Sequence, residues 1–359
     1  MLPRSVLRRF VVRPPPAALS RKRFFSSGGN SAPPELPTQA QVVVCGGGVV
    51  GCSVAYHLAK LGWTDVLLLE RDQITSGTTW HAAGLMVTFG SLSETSTEMR
   101  KYSKELYSHV LEEETGMSTG FMPVGFISLA TTPGYLEARA RQCSPSALRP
   151  SADPDPRCAR QEFRRVAAFN RKCGVDVHEI SAAEVQRLFP LCSTDDVIAG
   201  FYVEDDGRVN PVDATSALAR GAKRRGVRLV EGVQVTGVSR AAGRVTGVET
   251  SAGHVACEYF VNAAGMWARQ LGARSGVCVA NQAAFRVRVR VRVRVRVRVR
   301  VREPTQTLTL TLTLTPNQAA EHYYLLTEPM AGVGKAWPVV EDPSRHTYIR
   351  PEGGGLMVG

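Results

Sequence analysis

The chain has 359 residues, 43% of them apolar, which is enough for one large domain or two ordinary ones with a sizeable core. Its formal charge of +12 would suit nucleic acid or an anionic membrane, but residues 1–38 hold +6 of it and the run Arg286–Arg302 holds +9, leaving the body at −3. That distribution argues against a nucleic-acid partner.

No stretch of 18 apolar residues occurs, so no membrane span is expected. The eight cysteines form no C-x-x-C pair and no His/Cys cluster at zinc spacing, so no metal site is expected. Free thiols in a reducing compartment are the simplest reading.

Residues 1–38 read as a targeting segment and lead-in. They are rich in Arg and Ser and carry no acid before Glu35, the composition of a mitochondrial transit peptide. "RFFSS", Arg23 to Ser27, looks like a matrix-processing site, with "NSAPPELPT" as a flexible connection. The expected location is the mitochondrial matrix.

The strongest signal follows. Val42–Val44 is a β-branched run suited to a strand buried on both faces. Gly46, Gly48 and Gly51 then supply G-x-G-x-x-G, for a tight turn, close approach to a pyrophosphate, and close helix–strand packing. Val50, Val54, Leu58 and Leu61 fall on one helical face, and Gly62 sits where a C-terminal cap belongs. A second strand, "DVLLLE", ends in Glu70, nineteen residues after Gly51, where a carboxylate can accept hydrogen bonds from ribose hydroxyls. Arg71 follows it, and His57 within the helix reads as structural. An acid at position 70 disfavours a 2′-phosphate, leaving FAD or NAD.

Later segments favour FAD. "EGVQVTGV" supplies a strand, including Val235, whose backbone can meet the adenine, and "RVTGVETSAGHVACEYFVNAAGMWARQLG" reads as a hairpin, a strand and a turn into a helix. Ala264 and Gly265 of "VNAAG" lie where a second dinucleotide-contacting turn belongs. The expected fold is a mixed α/β one, a Rossmann-like FAD-binding domain interleaved with an antiparallel-sheet substrate domain, spanning residues 39–359.

Two stretches interrupt this pattern. Residues 285–316 repeat Val-Arg and then Thr-Leu and are flanked by two copies of "NQAA". Nine arginines on one strand face would repel strongly, and translation of a short DNA repeat explains the period better. Residues 143–161 are Pro/Ser/Asp-rich and bounded by two copies of "ARQ"; excising them joins "YLEARARQ" to "EFRRVAAFNRKCGV" as one amphipathic helix. Both are expected to be inserted, non-family segments.

The residues "VVVCGGGVVGCSVAYHLAKLG", "LLLERDQITSGTTWHAAGL", "GFYVEDDGRVNP" and "VNAAGMWA" resemble the sarcosine and dimethylglycine dehydrogenase family, within the glycine/D-amino acid oxidase fold. The resemblance implies FAD bound covalently through His81, with Ser76, Thr79 and Trp80 beside the flavin ring. Small neighbours such as Ala82, Ala83 and Gly84 leave room for a flat ring, and an uncharged imidazole is a competent nucleophile. It further implies oxidative N-demethylation of a methylated glycine, sarcosine or dimethylglycine. Hydride leaves the N-methyl carbon of the unprotonated amine, and electrons pass to electron-transfer flavoprotein. Arg350 is the candidate for the substrate carboxylate, with His322 and Tyr324 positioning the amine.

The resemblance has a second branch, the regulatory subunit of pyruvate dehydrogenase phosphatase, similar in "LPTQAQVVVCGGG". That branch lacks the tethering histidine, so His81 favours the enzyme. Relatives continue past "GGGLMVG" into the rest of the flavin domain and a folate-binding domain, so the chain reads as C-terminally truncated.

Overall fold

A computed structural model describes residues 35–131, 156–279 and 324–359. Residues 1–34, the Val-Arg/Thr-Leu repeats, most of 143–161 and His322 lie outside the described residues.

The chain opens with β1 (Gln39–Cys45), α1 (Val49–Lys60), β2 (Val66–Leu69) and β3 (Leu85–Met86). Then come α2 (Glu94–Glu105), α3 (Leu111–Thr115) and β4 (Phe126–Thr131). The middle holds α4 (Pro156–Lys172), β5 (His178–Ile180), α5 (Ala182–Leu188), β6 (Val197–Val203), β7 (Gly207–Arg208), α6 (Pro211–Arg224) and β8 (Arg228–Val230). After β9 (Val235–Ala241), β10 (Arg244–Thr250), β11 (Gly253–Asn262) and α7 (Ala268–Arg274), the described C-terminal part adds β12 (Leu325–Leu326), β13 (Val339–Asp342), β14 (Thr347–Glu352) and β15 (Gly355–Val358).

Apart from β3 and β7, which pair in a small two-stranded sheet, these strands form the two expected sheets. The first runs β8-β2-β1-β11-β10-β9, parallel across its first four strands and antiparallel at the β11-β10-β9 end. The second runs β12-β15-β14-β13-β4-β6-β5, antiparallel except where β13 lies parallel to β4, pairing Val339 with Phe126. The architecture is the anticipated dinucleotide sheet interleaved with an antiparallel one.

Alternation explains the packing of the first sheet. Val42 and Val44 of β1 and Val66 and Leu68 of β2 face Cys52, Ala55 and Tyr56 of α1 and Leu218 of α6. Val43, Leu67 and Leu69 face the other way, onto Val235, Val248, Val255 and Leu271. A strand covered on both faces has to be apolar at every position, which is the reason for the Val-Val-Val and Leu-Leu-Leu runs. The core of the second sheet is aromatic: Phe201 stacks on Phe163 at 5.2 Å and on Phe89 at 5.9 Å.

The face of α1 differs from the expected one. Gly51, Cys52, Ala55 and Tyr56 are its buried residues, whereas Val50 is 62% exposed and Leu61 78% exposed. Val54 and Leu58 pack partly against the core. Gly62 does end the helix in the left-handed region, at φ +93°. His57 is structural, its Nδ1 2.7 Å from the Ser53 carbonyl and its Nε2 2.9 Å from the Tyr102 hydroxyl. Helix α4 begins at Pro156, inside the segment expected to be inserted, so the helical run crosses the 161/162 boundary.

Between α2 and α3 the helical path widens into a π-turn over Leu106–Val110, a feature that often marks a working surface. Among the described residues no helix is long and apolar enough to cross a membrane, and no group of His, Cys, Asp and Glu could hold a metal ion.

Candidate functional site

The dinucleotide groove is built where β1, β2 and β11 end together. Gly46 carries φ +114°, and a Cβ there would overlap the Ala263 carbonyl. A Cβ at Gly51 would overlap the Gly46 carbonyl. Only glycine satisfies both positions, so the loop lies flat against the Ala263–Ala264 turn. That turn is held in place by the Ala263 N–H donating to the Cys45 carbonyl at 2.9 Å and by Asn262, whose side chain donates to the Ala268 carbonyl at 2.8 Å.

Glu70 ties the loop from the other side. One carboxylate oxygen accepts the Gly47 N–H at 2.6 Å and the other accepts the Asp72 N–H at 2.9 Å. Arg71 lies over the indole of Trp267, 3.9 Å from the ring centroid, joining the two halves of the groove. Val50, exposed on α1, is part of the groove wall, which accounts for an apolar residue on that face.

The groove has a volume of about 750 Å³, within the usual range for cofactor sites. Gly46, Gly48, Glu70, Arg71, Ser76, Thr79, Val235, Ala264 and Gly265 line it, and Gly51 supports it from behind. The start of α1 has no acid in its own first turn, and its positive end meets the groove. This donor set fits a dinucleotide pyrophosphate.

The Trp-His segment forms the rim. Thr75 sits at φ +70°, unusual for a β-branched residue, with its N–H donating to the Gly47 carbonyl at 3.0 Å. Thr79 turns inward, and its hydroxyl accepts the Val49 N–H at 3.0 Å, tying the rim to the start of α1. Trp80 and His81 stand outward and exposed, their ring centroids 3.6 Å apart. Ala82 faces the groove, whereas His81 itself does not line it.

The residues expected to hold substrate lie elsewhere. Arg350 is buried on β14, donating to Glu352 and to the Pro351 carbonyl. Its neighbour is a second buried guanidinium, Arg208, which donates to the same carbonyl; desolvation first, then the Arg350 charge, lowers the affinity of Arg208 for its proton. Tyr324 is half-buried at the start of β12 and lines neither cavity.

A second cavity, of about 920 Å³, was not anticipated. It opens between β3, α2, α4 and the β4–β13 pair, with Leu85, Phe89, Phe163 and Val166 as apolar walls. Arg100 and Glu341 supply opposite charges to it, and Tyr107 enters from the π-turn. Burial pushes the Glu341 carboxyl above the usual carboxylate range, with Arg100 pulling it back down. No motif announces these residues; they become neighbours only when β13 seats beside β4.

The comparisons decide the family. The FAD dependent oxidoreductase description matches residues 41–359. The chain belongs to that family. It is 34% identical to the mitochondrial pyruvate dehydrogenase phosphatase regulatory subunit of Mus musculus, over 90% of this chain and 30% of that protein. It is 33% identical to mitochondrial sarcosine dehydrogenase of Homo sapiens, over 90% of this chain and 29% of that protein. Against mitochondrial dimethylglycine dehydrogenase of Rattus norvegicus the identity is 37%, over 90% and 31% respectively. The chain thus spans about 30% of the length of these relatives. The fold of this FAD-dependent oxidoreductase is also that of L-proline dehydrogenase from P. horikoshii, with a TM-score of 0.64 at 24% identity, covering 90% of this chain and 70% of that one.

Proposed function

We propose that this chain is the flavin-binding part of a mitochondrial amine dehydrogenase that oxidatively demethylates a methylated glycine, sarcosine or dimethylglycine. The observation that carries the reading is the glycine-built groove with the Trp80–His81 turn at its rim. Two of the relatives named above carry those activities in their names.

In this reading FAD supplies the hydride acceptor when bound. Gly46, Gly48 and the start of α1 hold its pyrophosphate, and Glu70 takes the ribose on its remaining lone pairs. Val235 and Gln234 present backbone to the adenine. Thr79 fixes the rim, and the exposed imidazole of His81 is the group that tethers the cofactor covalently. Electron-transfer flavoprotein is the proposed acceptor and the matrix the proposed compartment.

The regulatory-subunit relative supports a second reading, a scaffold with no redox role. His81 favours the enzyme. The test is acid precipitation of the full-length protein, wild type and His81→Ala, followed by flavin absorbance of pellet and supernatant. The dehydrogenase reading expects flavin in the wild-type pellet and none in the variant pellet. Flavin released to the supernatant from wild type overturns the tether, and no flavin in either fraction favours the scaffold.

A further inference from the structure

The second cavity is the feature that the dinucleotide groove leaves unexplained. The chain passes from one to the other within a few residues: Ala82 faces the groove, and Leu85 and Met86 line the cavity. Gly84 makes that passage at φ +68°, pressed against the Val209 carbonyl so closely that a Cβ would overlap it. A ring held at the rim of the groove would therefore border the cavity.

Three charged residues line the cavity, Arg100, Glu341 and Glu162, and of the two carboxylates Glu162 is already paired with Arg165. Arg100 Nη1 donates to the Phe89 carbonyl at 2.6 Å, and no carboxylate lies within ion-pair distance of this guanidinium among the described residues. Glu341, on β13 beside Ser128, makes no hydrogen bond from its side chain to another described residue. Partly buried charges left without close partners are costly to the fold and are common where a ligand completes them. In the same lining, Phe89 and Phe163 supply apolar surface that suits N-methyl groups on a cationic nitrogen.

We propose that this cavity is the substrate chamber for an N-methylated amino acid taken up as the zwitterion, with Arg100 holding its carboxylate and Glu341 facing its ammonium group, which gives up its proton before hydride leaves. The assignment rests on the amine-dehydrogenase reading for its substrate class, and it gives the two recognition roles to residues other than Arg350, Tyr324 and His322. Arg350 is already engaged with Glu352 and Pro351 beside Arg208, which makes it part of the wall behind β14.

The test is calorimetric titration of the full-length protein, with and without flavin, using three probes: sarcosine, dimethylamine and propionate. Arg100→Met is expected to weaken sarcosine and propionate by about tenfold or more while leaving dimethylamine unchanged. Glu341→Gln is expected to weaken sarcosine and dimethylamine by a similar factor and to spare propionate. If Arg100→Met lowers the melting temperature, Arg100→Gln takes its place, with the same expected loss of sarcosine and propionate affinity. Wild-type binding of all three probes by both Glu341→Gln and the soluble Arg100 variant overturns the proposal. Loss of flavin binding by the wild type overturns the functional reading instead, and titration of the flavin-free protein still decides the chamber.

Discussion

The Cα of Gly51 packs directly against the carbonyl oxygen of Gly46, with no space for a Cβ between them. Gly51→Ala therefore has to push the first turn of α1 away from the loop. The expected cost is about 3 kcal/mol. If all of it falls on cofactor binding, affinity drops on the order of 100-fold. Flavin fluorescence titration measures this directly, and wild-type affinity in the variant would contradict the packing.

Glu70 holds two backbone N–H groups, that of Gly47 in the glycine loop and that of Asp72 just beyond β2. Charge-assisted bonds of this kind contribute about 1.5–3 kcal/mol each when partly buried. Glu70→Ala is expected to lower stability by about 2 kcal/mol in urea and to weaken flavin binding further, whereas Glu70→Gln, which keeps one acceptor, loses less. Equal losses for both variants would count against this role.

Burial raises the thiol pKa values of Cys45 and Cys52 to about 12. Thiolate is the reactive form, so both are expected to resist a disulfide reagent at neutral pH until the protein unfolds. Cys278 is exposed and should react at once. Mass spectrometry of labelled peptides before and after urea distinguishes the two classes.

Asp206 is fully buried and accepts hydrogen bonds from the Thr88 N–H at 2.7 Å and the Thr88 hydroxyl at 2.8 Å. Desolvation nevertheless raises its pKa above the ordinary 3.8, outweighing the Thr88 bonds and the Lys104 charge. The folded state then binds this proton more tightly than the unfolded one. Its contribution is fully present below 3.8 and is lost as pH rises through the higher folded value. Asp206→Asn should flatten that part of the stability profile, read from urea melts at a series of acidic pH values.

Phe201 is completely buried and stacked against both Phe163 and Phe89. Phe201→Ala is expected to cost about 3–5 kcal/mol. Because Phe89 and Phe163 also wall the second cavity, the same change should weaken ligand binding there, and calorimetry on the variant at low temperature checks it.

The sequence made the dinucleotide site readable because its demands are local. A turn between strand and helix needs glycine at fixed offsets, and the apolar runs of β1 and β2 admit only a buried strand. The face of α1 departs from its apolar periodicity for a related reason. Val50 is apolar because it borders the groove, so periodicity alone assigns it to the core. Leu61 sits at the C-cap of the helix, beyond the packed surface. Arg100 and Glu341 lay beyond sequence reasoning altogether. They are separated by more than two hundred residues, stand in no motif, and share a cavity only through the pairing of β4 with β13.

That pairing also bears on how the protein is made. When the ribosome has finished residue 338, the residues of β4, β5 and β6 have been made, but Val339 has not yet been added to seat beside Phe126. Every residue of β4 is buried in the finished fold, so "FISLAT" has an open, sticky border until β13 is available. Any holdase chaperone that shields this border until β13 emerges would be covering an edge that the topology leaves open.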